Sequence, residues 1–153
     1  MKRDLHRSHP SETVSRIARD DYFLHSRELQ HVFLTGDLRK STPHPFFRDE
    51  RVEFIYCDYQ AGDDGEFHWH HDITEYQIVV SGAFGHLDAA SGETVWCGAG
   101  DVSTTPAGIC TKRIIRDDTV TIALKIPSIP GDKVFCADCA RVCDYRQQEF
   151  QGH

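Results

Sequence analysis

GDDGEFHWHHDITEYQIVVSG, running from Gly62 to Gly82, is the stretch from which the fold and the chemistry of this chain are read. His68 and His70 stand two apart, Glu75 follows five residues later, and glycines bracket the whole. On a strand, side chains at i and i+2 share a face. His68 and His70 therefore aim at one point, and a turn through Asp72–Thr74 brings Glu75 back beside them. Two imidazoles and one carboxylate converging in this way make a metal site of the 2-His-1-carboxylate kind. His71 points the opposite way from His70, as a surface residue or a support for the ligands. Trp69, between the ligands, faces outward into sheet packing or a subunit contact.

Outward from this stretch the chain reads as short strands with turns between them. Arg51–Gln60 alternates and is rich in aromatic residues. Phe67–His71 carries the ligands, and Tyr76–Ser81 is strongly β-forming. Phe84–Asp88 and Thr94–Cys97 flank a hairpin loop at Ala89-Ala-Ser-Gly92. Asp101–Thr104 leads into the turn Pro106-Ala-Gly108, and Ile109–Ile115 and Thr119–Ile126 follow. Upstream, Pro10-Ser-Glu-Thr opens a helical pattern ending near Asp20 and Asp21. A weak strand at His31–Thr35 comes next, then an irregular arm over Arg39–Asp49. After Pro127-Ser-Ile-Pro130-Gly131 the character changes, and Lys133–Phe150 reads as a short helix or an irregular tail packed across the strands. Regular short strands with glycine-rich turns imply a sandwich or a barrel.

The spacing Gly62-x5-His68-x-His70-x4-Glu75-x6-Gly82 resembles the first motif of the cupin family, position for position. Gly100-DVSTT-Pro106-Ala-Gly108 is similar to the first half of the second cupin motif. There the histidine of the motif falls on Thr111 and its asparagine on Ile115. Together the two motifs cover about a quarter of the chain. The resemblance implies an all-β, jelly-roll barrel over residues 51-128. The short N-terminal helix and arm (1-50) pack on it, and a cysteine-containing C-terminal tail (129-153) completes one domain. It also implies a homodimer, since cupins often pair through their sheets.

Composition narrows the function. The chain has 153 residues, enough for one domain with a real core. Its formal charge is −7 and its basic residues are not clustered, which argues against a nucleic-acid partner. The first ten residues are charged, and no apolar run approaches membrane-spanning length, so a cytoplasmic protein is expected. Of ten histidines, only the central cluster has ligand-like spacing; the scattered ones read as surface or hydrogen-bonded residues. Six cysteines without a signal peptide suggest reduced thiols. Cys136, Cys139 and Cys143 crowd the tail. The first pair resembles, over a few residues, the C-x2-C after the barrel of bacterial 3-hydroxyanthranilate dioxygenases. The second C-x2-C of those enzymes has no counterpart here, so free thiols are the expected state.

With Thr111 in place of the fourth ligand, His68, His70 and Glu75 form a facial triad that suits an oxygenase. His86, just beyond Gly82, and Cys110, one residue from the motif position, are the alternatives for a fourth ligand. Strand parity puts Arg113 and Ile115 on the side of Thr111, and Gln77 and Val79 on the side of Glu75. Arg113 can meet a substrate carboxylate through its planar fork, or form an ordinary salt bridge at the barrel end. Tyr56 and Phe54 read as cavity wall or core. The candidate catalytic residues are Glu75, Tyr56 and Arg113. The expected function is a mononuclear non-haem iron dioxygenase, an oxidoreductase acting on a small chelating substrate. Iron(II) is the favoured ion, with manganese, nickel, cobalt or zinc as alternatives. A metal-dependent isomerase or lyase, with Tyr56 moving the proton, is the neighbouring reading. A non-catalytic sensor or carrier of a small ligand is the reading from a different class.

Overall fold

The computed structural model describes residues 14–139. Ten strands follow in chain order: β1 (His31–Thr35), β2 (Glu53–Tyr59), β3 (His68–His70), β4 (Thr74–Ser81) and β5 (Ala83–Asp88). The rest are β6 (Thr94–Gly98), β7 (Val102–Thr105), β8 (Thr111–Ile114), β9 (Thr119–Ile126) and β10 (Lys133–Phe135). They form two antiparallel sheets, ordered β1-β2-β9-β4-β7 and β10-β3-β8-β5-β6. Neighbours in space are mostly distant in sequence, as in a jelly roll.

Alternation along the strands builds the core between the sheets. Ile55, Cys57 and Tyr59 of β2 face inward and meet Val79, Phe84, Cys97, Ile115 and Ala123. The β4 pattern is equally regular, with Gln77 and Val79 buried between exposed Tyr76, Ile78 and Val80. A two-residue period with one face on the core produces this alternation.

The turns obey local chemistry. Gly82 links β4 to β5 at φ +82°, where a side chain would collide with the Asp118 carbonyl and the Thr119 hydroxyl. That position demands glycine twice over, for conformation and for space.

The ends of the chain differ from the sequence expectation. Residues 14–18 carry no helix, and two 3-10 turns (Arg19–Asp21 and Phe23–His25) lead into a short helix, α1 (Ser26–Leu29). The apolar spacing of Val14, Ile17 and Ala18 does not build a buried face: Val14 is fully exposed, and Ile17 and Ala18 are only partly covered. Residues 10–13 lie outside the described residues. Tail residues 133–138 form β10 and a 3-10 turn (Cys136–Asp138), because Lys133–Phe135 pairs with the otherwise open edge of β3. Cys143 lies outside the described residues; Cys57 and Cys97 are free thiols buried in the core. No helix among the described residues is long and apolar enough to cross a membrane.

Candidate metal centre

A cavity of about 60 Å³ opens between the sheets, and the predicted ligands meet there. His68, His70, Glu75, Gln77, Thr111 and Arg113 all line it. β3 supplies both histidines from one face, and β4, one tight turn later, supplies the carboxylate. Thr111 pairs directly with His68, so the position of a fourth ligand does fall in the cavity, occupied by a hydroxyl.

Each imidazole is prepared to offer a lone pair. Nδ1 of His68 lies 2.9 Å from the Glu66 carbonyl, which makes Nδ1 the protonated nitrogen and leaves Nε2 free. Both ring nitrogens of His70 are buried without a hydrogen-bond partner. Nε2 stands 4.0 Å from Oε2 of Glu75, and Nδ1 stands 3.7 Å from Oδ2 of Asp132. The backbone N–H groups of Asp72 and Ile73 donate to the Asp132 carboxylate and pin it. A fixed carboxylate behind an imidazole is the usual support of a metal-binding histidine.

Burial first, and the neighbouring lysines after it, hold both histidines neutral. The pKa of His68 falls to about 4, with Lys133 as the second cause. That of His70 falls to about 4 as well, with Lys125 second. Neutral imidazole is the ligating form. Among the described residues no three such side chains already stand in ligand geometry. His68, His70 and half-buried Glu75 are the residues that would hold an ion here.

Tyr56 is a correction. It lies on the outer face of β2, its ring 5.6 Å from that of Tyr22 and 6.4 Å from that of Phe23, and it does not line the cavity. The tyrosine inside is Tyr59, three residues on and of opposite parity. Its hydroxyl is 2.8 Å from Nε2 of His31. Alternation alone did not choose between the faces, since each carries one acid, Glu53 with Ile55 and Asp58 with Tyr56. Both acids are buried.

Arg113 stands where parity put it, without a salt bridge among the described residues. Its Nε donates to the Asp63 carbonyl at 2.8 Å, and its guanidinium carbon lies 4.4 Å from the centre of the Tyr59 ring. One terminal nitrogen is 3.4 Å from Nε2 of His31. Burial first and Arg113 second lower the pKa of His31 to about 3, so this imidazole is neutral and accepts through Nε2. Gln77 donates to the Thr121 hydroxyl at 2.6 Å, while its buried carbonyl oxygen has no partner. His86 does reach inward, but its Nε2 is engaged 2.9 Å from the Ser103 hydroxyl. Cys110 lies outside the lining, as alternation requires. Trp69 faces away from the cavity, its indole nitrogen 3.3 Å from the Cys139 sulfur, and His71 stacks edge-on against it.

Sequence reasoning missed His31, Tyr59, Lys125, Lys133 and Asp132. Lys125 sits half-buried at an inward position of β9, against the rule that charged side chains face water, and Lys133 of β10 lines the cavity while remaining exposed. Only strand pairing reveals them.

No protein-family model matches this sequence, and no curated protein does. Solved structures match by shape. A DMSP lyase from Ruegeria pomeroyi superposes over 90% of this chain and 64% of its own, with a TM-score of 0.58 at 17% identity. An uncharacterised double-stranded β-helix protein from Klebsiella pneumoniae covers 64% of this chain and 89% of its own, at TM-score 0.52 and 15% identity. A mutant of oxalate decarboxylase from Bacillus subtilis covers 59% of this chain and 25% of its own, at TM-score 0.51 and 16% identity. The fold is therefore the cupin jelly roll, the double-stranded β-helix.

Proposed function

We propose that this chain is a metal-dependent cupin enzyme holding one divalent ion through His68, His70 and Glu75. The observation that carries the reading is His70: a buried imidazole between two carboxylates with neither nitrogen hydrogen-bonded. Leaving a buried polar group unpaired costs about 1–3 kcal/mol, which coordination removes. The donor set suits iron(II) first, then manganese, nickel, cobalt or zinc. Bound iron(II) supplies oxidative chemistry towards a small chelating substrate, so a dioxygenase is the first reading. The chain's own residues do the rest. Asp132 orients His70, the Glu66 carbonyl sets the tautomer of His68, and the unpartnered carbonyl of Gln77 accepts a hydrogen bond from substrate. Ile55, Phe84 and Ala123 form the apolar wall that keeps water from the reacting atoms.

A specific observation favours a second reading, an isomerase or lyase. The Tyr59 hydroxyl and the neutral His31 imidazole form a hydrogen-bonded pair inside the cavity. In this pair the Tyr59 hydroxyl is the group that can give a proton to a substrate, and the neutral His31 imidazole orients it. The role first given to Tyr56 passes to Tyr59. The likeness to a DMSP lyase over 90% of the chain supports the same reading.

The test is metal analysis of protein purified without a histidine tag, beside a His68→Ala/His70→Ala variant. About one equivalent of transition metal, lost in the variant, supports the triad. Absence of metal after anaerobic iron loading rejects it and leaves a ligand-binding barrel. Oxygen uptake with small chelating acids then separates oxygenase from lyase.

A further inference from the structure

Charge inside the cavity is unbalanced. Arg113 of β8, Lys125 of β9 and Lys133 of β10 all line it, and Glu75 is the one acid among the described lining residues. Strand register puts them there. Lys125 stands opposite Glu75, Lys133 opposite His70, and Arg113 opposite His86, so each shares the face of a residue that points inward. Among the described residues, none of the three has a carboxylate within 4.0 Å. The hydrogen bonds of Arg113, to the Asp63 carbonyl and towards His31, occupy two of the five donors a guanidinium carries.

Three cations gathered from three strands repel one another, more strongly between protein walls than in water. Lys125 is half-buried on the core face, where a lysine is avoided unless something negative meets it, and Lys133 lines the cavity while remaining exposed. Glu75 balances one charge and buried Glu53, opposite Lys125 on the inner face of β2, a second; in the proposed centre Glu75 faces a metal ion instead. An anionic ligand would supply the counter-charge that is left.

We infer that the cavity binds a small organic acid, its carboxylate against Arg113, Lys125 and Lys133 and its body over His68, His70 and Glu75. As a statement of substrate class, this rests on the reading of the cavity as a metal-dependent catalytic centre; the binding of the anion itself needs no metal. The acid is short. The cavity measures about 60 Å³ and opens to solvent, so it seats the carboxylate end of a small acid rather than a whole ring-sized molecule. The planar fork of Arg113 matches a carboxylate in two parallel hydrogen bonds.

Titration calorimetry on metal-free and iron-loaded protein tests this, with malonate, its uncharged analogue malonamide, and inorganic phosphate as probes. Malonate is expected to bind both forms and malonamide neither. Lys125→Gln, Lys133→Gln and Arg113→Gln should each weaken malonate about tenfold or more, with circular dichroism confirming the fold and metal content unchanged in the two lysine variants. Equal binding of malonamide, or malonate affinity untouched in every folded variant, overturns the inference. Phosphate binding more tightly than malonate overturns the carboxylate class. Malonate binding in a protein that never takes up metal removes the metal-dependent reading and leaves the acid site standing. Metal uptake with no malonate binding does the reverse.

Discussion

His70 carries the most consequence at the scale of single residues, because two carboxylates address its two nitrogens. Asp132→Asn keeps the shape and removes the charge behind the ring. It should lower metal affinity about 10–100-fold, read by competition with a chelator, while the fold persists. Tyr59 and Tyr56 offer a paired comparison. If the isomerase or lyase reading holds, Tyr59→Phe should cut kcat about 10²–10⁴-fold with metal content unchanged. Tyr56→Phe, on the outer face, should leave kcat as it is. Equal losses in the two variants would remove the proton-transfer role. His31 predicts a pH effect. Its folded pKa, about 3, lies below the ordinary 6.5, with burial the main cause and Arg113 the next. Between those values the unfolded chain binds the extra proton. Stability therefore falls as pH falls through this window, by at most about 1.4 kcal/mol per pH unit from this group, and does not change above it. His31→Gln should flatten that acid limb in urea titrations at successive pH values. An unchanged slope would show that His31 is protonated in the folded protein.

At the scale of elements, strands were legible where period two met a buried face. β4 and β9 alternate cleanly, and β9 runs over Thr119–Ile126 as the sequence indicates. Elements that depend on a distant partner were not legible. β10 has no pattern of its own and exists because the edge of β3 accepts it. The helix expected from the spacing of Val14 and Ile17 does not form: Val14 is fully exposed and Ile17 only partly covered, whereas Ser26 of α1 is anchored by a hydrogen bond to buried Asp58. The turn between β4 and β5 yields the prediction that belongs here. Gly82→Ala should cost about 1–3 kcal/mol from backbone conformation alone, and more from the collision with Asp118 and Thr119. Chemical denaturation measures it. A loss below about 0.5 kcal/mol would mean that the turn can change shape.

The whole molecule has two contrasting surfaces on one sheet. The inner face is core and cavity; the outer face exposes Tyr76, Ile78 and Val80 of β4 beside Val102 of β7. The homodimer expected from the sequence would pair two copies through such a face, removing apolar area from water. On that proposal wild-type protein sediments as a dimer and Ile78→Glu as a monomer. A monomeric wild type at high concentration would end it.

What the sequence by itself determined is the spacing of His68, His70 and Glu75 and the strand rhythm around it. Both are local: the alternation of side chains along a strand is a property of the backbone, so His68, His70 and Glu75 could be aligned without knowing where the strands lie. Only the tertiary structure decided which face of β2 is the inner one, and that Tyr59, His31, Asp132, Lys125 and Lys133 join the site. Those residues come from β1, β2, β9, β10 and the loop before β10, far apart along the chain. Their meeting depends on sheet order and register, which long-range pairing sets and no local pattern encodes.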